Sequence, residues 1–328
     1  MQSIFYQRAR DAGEAVRLAQ QDGARFIGGG TNLLDLMKGD VEHPLRLVDI
    51  TRAGLDRIDE LPGGGLRIGA GVRNADAARH PAVRQHYPLL AQAMLSGASA
   101  QLRNMATMGG NLMQRTRCPY FTDTAFSHCN KREPGSGCDA RQGFQRMHAI
   151  LGASPACVAV NPSDMSVALA ALDAVVLLRS AQGDREVALA DFHRLPGDTP
   201  QQDTVLRPGE LIMAIDLPPS AMARHSHYLK LRDRASYAFA LVSVAAALDM
   251  DGRIVRDARL ALGGVAHKPW RRREAESVLQ GRPLDEAQCR AAAQHLLAGA
   301  QPLEGNRFKV ELAQRAIVRA LQIAGEGA

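Results

Sequence analysis

The chain of 328 residues predicts an α+β fold in two domains. Its first two thirds intersperses short apolar strands with amphipathic helices. A run beginning near His225 changes to antiparallel strand patterns, and three helical patterns close the chain. The length exceeds the roughly 100–200 residues of an ordinary domain, so a division is expected, placed near residue 222 to give 1–222 and 223–328.

Taken in order, Asp11 to Gln21 repeats Ala12, Ala15, Val16 and Ala19 at helical spacing and stops before Gly23. ARFI (24–27) then predicts a buried strand, followed by LRLVDI (45–50) and LRIGAGV (66–72) as strands and a helix-rich stretch from Asn74 to Leu95. Further on, ACVAV (156–160), AVVLLRS (174–180) and ELIMAIDL (210–217) predict strands, with DMSVALAAL as a helix opening at Ser163 or Asp164. YLKLRD, FALVSVAAALDM and IVRDARLALGGV predict an antiparallel run whose hairpin turn is Asp251-Gly252. Helices are expected near Arg271 to Gln280, Asp285 to Ala298 and Asn306 to Ile323, stacked on one side of this meander.

The composition argues against several function classes. Lys and Arg exceed Asp and Glu by 40 to 34, a formal charge of +6, but the basic residues are scattered except for Arg271 to Arg273 beside Trp270. That run is too short for the basic, aromatic-interleaved stripe of a nucleic-acid surface. No apolar run approaches the ~18 residues of a membrane span, and MQSIFYQRARDAGEAV lacks a secretory apolar region. The expectation is a chain without its own export signal, cytoplasmic unless it travels with a signal-bearing partner.

Two glycine loops carry the first functional signal. Phe26-Ile27-Gly28-Gly29-Gly30-Thr31-Asn32 follows a strand, and consecutive glycines let successive N–H groups face an anion. The spacing is not G-x-G-x-x-G, and LLDLMKG after it is short for a dinucleotide crossover helix. Thr107-Met108-Gly109-Gly110-Asn111 is a second glycine pair flanked by a hydroxyl and an amide. Asn161-Pro162-Ser163-Asp164 adds a carboxylate suited to sugar hydroxyls or to the first turn of a helix.

A second signal is the irregular stretch from Arg115 to Cys157, which holds four of the five cysteines: Cys118, Cys129, Cys138 and Cys157. Disulfides are disfavoured without an export signal. A structural zinc site, with His128 as a substitute ligand, and an iron–sulfur cluster both remain open, since the gaps match neither Cys-x-x-Cys pairs nor the compact ferredoxin run. The fifth thiol, Cys289, sits with Ala292, Ala293 and Leu296 on one helical face and is expected in the core.

The ordered series GGGTNLL, TMGGNLM, NPSDM, YLKLRDRASYAFALVSVA and ALGGVAHKPWRRREAE resembles the FAD-binding medium subunits of the xanthine oxidase and carbon monoxide dehydrogenase family of molybdenum hydroxylases. The likeness extends over almost the whole chain. It implies a two-lobed FAD-binding domain of the vanillyl-alcohol-oxidase type, lobes about 1–55 and 56–222, followed by a smaller domain of antiparallel sheet and helices. It implies that Phe26, Ile27, Gly28, Gly29, Gly30, Thr31, Asn32, Leu33 and Leu34 wrap the FAD pyrophosphate. Thr107, Gly109, Gly110 and Asn111 would form the second loop, Asp164 would hold polar groups of the cofactor, and Lys230 would lie near the flavin.

Most medium subunits pass almost directly from the second loop to the third motif, whereas this chain inserts a segment at about 114–158. CPYFTDTAFSHCNKREPGSGCDA resembles the insertion of periplasmic-type aldehyde oxidoreductases more than that of 4-hydroxybenzoyl-CoA reductases, the other branch that has one. The resemblance therefore implies a [4Fe–4S] cluster on Cys118, Cys129, Cys138 and Cys157. It implies a heterotrimer with a [2Fe–2S] subunit and a molybdenum-cofactor subunit, an external electron acceptor, no catalytic residue for aldehyde chemistry on this chain, and export to the periplasm with a partner. The rival readings are a 4-hydroxybenzoyl-CoA reductase-like subunit, a stand-alone flavin oxidase, and a non-catalytic zinc or nucleic-acid module.

Overall fold

The computed structural model describes residues 3–327. Its first sheet is β1 (Phe5–Arg8), β2 (Ala24–Ile27) and β3 (Arg46–Asp49), in the order β1-β3-β2 and all parallel. Parallel neighbours need crossovers. The helix Ala12–Leu18, capped where the Asp11 carboxylate accepts from the Glu14 N–H, joins β1 to β2, and the short helix Leu33–Lys38 lies between β2 and β3.

The second sheet is antiparallel: β4 (Ile58–Glu60), β5 (Leu66–Gly69), β6 (Val175–Ser180), β7 (Gly183–Ala188) and β8 (Leu211–Leu217), ordered β4-β5-β8-β6-β7. Its core is shared with the helices of residues 74–96 and with helix Asp164–Ala171. That last helix is buried along its whole length, which is why its sequence is apolar all round and shows no polar stripe.

The third sheet is the expected meander, β9 (Ser226–Leu231), β10 (Val242–Asp251), β11 (Ile254–Gly263) and β12 (Trp270–Arg271), ordered β12-β11-β10-β9. Alternation along β10 divides its side chains. Val242, Val244, Ala246 and Leu248 pack with helices Glu286–Leu297 and Phe308–Glu326, while Ala245 and Ala247 join the core of the second sheet. The helices stack on one side, and elements of the first domain cover the other.

Several elements differ from expectation. ACVAV is not a strand: it contributes one isolated bridge, Ser154 with Cys157, because Val158 and Ala159 are buried in the cysteine pocket and have no neighbouring strand to pair with. The hairpin turn is one residue further along, since Asp251 still pairs with Ile254 and Gly252, at φ +58°, opens the two-residue loop. Trp270–Arg271 extends the sheet, so the helix begins only at Arg273. Strands β1, β4 and β7 were not anticipated. β1 is exposed throughout and β7 is a polar edge, so neither shows a clear two-residue period.

The insertion is fastened at both ends. Near its start the buried Lys131 Nζ donates to Pro200 O (2.6 Å) and to the Asp203 carboxylate (2.5 Å), which also accepts from Arg115 Nε (2.6 Å). Near its end, Asn306 Nδ2 donates to His148 O (3.1 Å) and Ala149 O (3.2 Å), and Lys309 Nζ to His148 O (2.8 Å) and Gly264 O (2.6 Å). The segment thus ties the first domain to the last helix. Asn306 is fully buried, so Asn306→Ala leaves Ala149 O without its donor, His148 O keeping only Lys309, and is expected to cost about 1–3 kcal/mol. Hydrogen exchange should then rise first around residues 145–151; protection unchanged there would show that the clamp is redundant.

Candidate functional site

The first glycine loop leaves β2 with its donors free. Among the described residues, the N–H groups of Gly28, Gly29, Gly30, Thr31 and Asn32 find no acceptor in the protein. Glycine is required here by one close approach and one left-handed backbone conformation. A Cβ on Gly29 would sit 1.9 Å from Met105 O, and Gly30 adopts φ +71°. Five successive donors with no protein partner form an anion nest.

The second loop is built differently. Thr107 Oγ1 accepts from the Gly110 N–H (3.1 Å), Met108 and Gly109 donate to Val72 O and Ala70 O, and Asn111 N–H returns to Thr107 O. Its donors are therefore used internally. Gly28 and Gly29 lie directly against Thr107 and Met105, so the second loop props the first. Asn111 Oδ1 accepts from Ser163 Oγ (2.7 Å), and Ser163 in turn caps helix Asp164–Ala171 by accepting from the Ser166 N–H (3.0 Å).

Asp164 is buried and fully engaged. Its carboxylate accepts from Lys230 Nζ (2.7 Å) and from the Tyr228 hydroxyl (2.8 Å), both on β9. Lys230 Nζ also donates to Ser96 O (3.1 Å). The structure brings Asp164 and Lys230 together in an ion pair whose side chains are only 7 % and 4 % exposed. Lys230 lies on an edge strand yet points inward. Tyr228 was missed, although it precedes Lys230 by two positions and so shares its face of the strand. Burial, then the Asp164 charge, holds its phenol well above the usual range, so it remains an O–H donor.

A cleft opens beside this pair, lined by Arg117, Cys118, His148, Asn161, Asp164 and Phe239 among others. Asn161 and Asp164 come from the third motif, whereas Arg117, Cys118 and His148 come from the insertion. His148 Nε2 lies 3.1 Å from Cys118 Sγ, and burial, helped by the Lys309 charge, pulls the imidazole down to about 4, so it is neutral.

The four insertion cysteines share one pocket with Leu36, Tyr120, Phe121, Ala140, Val158 and Ala159. Cys129 and Cys138 are paired across an isolated antiparallel bridge, and all four are free thiols. The backbone dipoles of Tyr120 and Phe121 at Cys118, of Val158, Ala140 and Arg141 at Cys138, and of Ala159 at Cys157 favour the thiolate form. Burial nonetheless pushes the unligated thiols up, Cys118 to about 12 and Cys157 to about 11. His128, by contrast, is exposed and bound to Asp139 (3.0 Å), outside the pocket. Cys289 is fully buried in the packing of the last helices.

Residues 2–220 match the family description of the FAD binding domain in molybdopterin dehydrogenase, and residues 226–324 that of the CO dehydrogenase flavoprotein C-terminal domain. The chain belongs to the FAD-binding medium subunits of the xanthine oxidase and carbon monoxide dehydrogenase family. It is 52 % identical over 324 residues, 98 % of both chains, to the aldehyde oxidoreductase FAD-binding subunit PaoB of Escherichia coli (strain K12). It is 30 % identical over 282 residues to the glyceraldehyde dehydrogenase medium chain of Sulfolobus acidocaldarius, covering 86 % of this chain and 82 % of the relative. Among solved structures it is similar to a carbon monoxide dehydrogenase of Hydrogenophaga pseudoflava, with a TM-score of 0.77 and 26 % identity over 98 % of this chain and 97 % of that one.

The nest of unpaired N–H groups fits FAD, whose pyrophosphate is the anion such a loop takes. The medium subunit would hold it on residues 26–34. The Asp164–Lys230 pair makes a specific demand. Asp164→Asn leaves a buried ammonium without a counter-charge and is expected to cost about 3–5 kcal/mol, whereas Asp164→Asn with Lys230→Met recovers most of that loss. Urea unfolding of the two single variants and the double variant tests this; additive losses would mean the pair is not coupled.

Proposed function

We propose that the chain is the electron-transfer subunit of a heterotrimeric molybdenum aldehyde oxidoreductase, carrying FAD and a [4Fe–4S] cluster. The observation that carries the reading is the 52 % identity, over 98 % of both chains, to an aldehyde oxidoreductase FAD-binding subunit. Bound FAD supplies a store that accepts electrons singly and releases them in pairs. The partners in this proposal are a [2Fe–2S] subunit that delivers electrons and a molybdenum-cofactor subunit that oxidises the aldehyde, with an external acceptor taking the electrons away. This chain's residues 26–34, Thr107, Gly109, Gly110, Asn111, Asp164 and Lys230 serve binding and positioning. The division at residue 222, with lobes about 1–55 and 56–222, belongs to the same proposal, as does export to the periplasm with a signal-bearing partner.

The cluster on Cys118, Cys129, Cys138 and Cys157 is supported by chemistry rather than by spacing. Among the described residues, no three His, Cys, Asp or Glu side chains converge as a single ion requires. A tetrahedral zinc holds four sulfurs about 2.3 Å from one centre. A cubane spaces its thiolates more widely, because each binds a different iron. Three buried thiols and the half-buried Cys138 in one pocket, with backbone dipoles that favour the thiolate, suit the second arrangement.

Anaerobically purified complex is expected to contain about four irons and four acid-labile sulfides on this subunit, as a cubane on four cysteines requires, together with one FAD. One zinc without sulfide would make the insertion a structural metal site. Cys→Ser variants that assemble and keep FAD separate two further roles: turnover at the parent rate would exclude the cluster as an obligatory electron relay.

A further inference from the structure

The cations near the cleft have hydrogen-bonding partners, with one exception. Lys230 is paired with Asp164, Lys131 and Arg115 share Asp203, and Lys309 donates to two carbonyls. Arg117 has no counterpart among the described residues. Its Nε is shielded from water without an acceptor, its guanidinium lies 5.1 Å from the centre of the Phe239 ring, and Asp35 and Tyr237 act on it only through space. It nevertheless lines the cleft with Asn161, Asp164 and Ser243. A guanidinium has five donors in a rigid fork, and withdrawing them from water without acceptors is unfavourable. The cleft therefore lacks one partner, and that partner is rich in acceptors or negatively charged.

We infer that Arg117 is a further flavin-contacting residue, whose guanidinium donates to the carbonyl-bearing edge of the ring and favours its reduced form. The inference rests on the FAD reading above. Two electrons and one proton convert the oxidised ring to a reduced ring with one added negative charge, spread over N1 and the neighbouring carbonyl oxygen. Lys230 and Asp164 together add no net charge opposite that edge. Arg117, which has no hydrogen-bonded partner among the described residues, supplies a positive charge, and its fork geometry suits adjacent acceptors. It comes from the insertion, so the segment that holds the cysteines also completes the flavin's surroundings.

The test uses the assembled complex with Arg117→Gln and Arg117→Lys, titrated with dithionite against reference dyes. Arg117→Gln is expected to make the reduced flavin at least tenfold less stable relative to the oxidised one, a fall of about 30 mV in the two-electron potential. Arg117→Lys, which keeps the charge, is expected to retain most of the parent potential. An unchanged flavin potential in Arg117→Gln overturns the inference. So does a shift confined to the iron–sulfur signal in low-temperature EPR, which would assign the charge to the cysteine pocket. Should Arg117→Gln fail to assemble, the parent complex is treated with phenylglyoxal before and after flavin removal. Protection of Arg117 by FAD, mapped by mass spectrometry, supports the contact, and equal labelling refutes it. Absence of flavin from the parent complex would instead refute the FAD reading on which the inference stands.

Discussion

The buried carboxylate of Asp164 constrains the rest of the site. A charge removed from water must be paired with good geometry, and here the partners, Lys230 and Tyr228, come from a different sheet. The first turn of helix Asp164–Ala171 and strand β9 are thereby held at a fixed separation. From that point the constraint passes outward: Ser163 caps the helix and donates to Asn111, Asn111 closes the second glycine loop, and that loop abuts Gly28 and Gly29. One ion pair at the junction of the two domains is thus linked, through short polar contacts, to the loop suited to the cofactor's pyrophosphate.

The two glycine loops look alike in sequence but divide the work. The first keeps five N–H donors unpaired, and the second uses its donors on Val72, Ala70 and Thr107. Rigidity in the second allows the first to stay open, because an unsupported loop would fold its donors onto its own carbonyls. Gly29 shows how tight this support is, since the position that a Cβ would occupy lies against Met105 O.

Much of this was legible in the sequence where local signals and tertiary demands agree. The meander, the closing helices and both glycine loops are of that kind, and the resemblance placed Asp164 and Lys230 in one site. The signal was weaker where a third element decides the outcome. ACVAV has the composition of a buried strand, yet its apolar side chains fill the cysteine pocket and its backbone has no neighbour to pair with. FYQR pairs as a parallel edge strand although every side chain is exposed, so no period marks it. Tyr228 was recoverable from the two-residue period of β9. Arg117 was not, because its importance lies in what fails to surround it.

On the proposed reading, the insertion is a segment whose order depends on a bound cluster. Its apolar pocket is small, and the thiols at its centre are held neutral by burial, Cys118 up to about 12 and Cys157 up to about 11. Metal binding reverses that balance, since the ligand is the thiolate and the bond energy becomes folding energy. The backbone dipoles of Tyr120, Phe121, Ala140, Arg141, Val158 and Ala159 already favour the anionic form of these sulfurs, and nearby N–H groups would be charge-assisted donors to bound thiolates. In the proposed loaded form, Lys131 fastens the ordered loop to Asp203, and Lys309 and Asn306 fasten it to the last helix. In that form the insertion would brace the cleft whether or not electrons pass through the proposed cluster, because Arg117, Cys118 and His148 reach the cleft on that same loop.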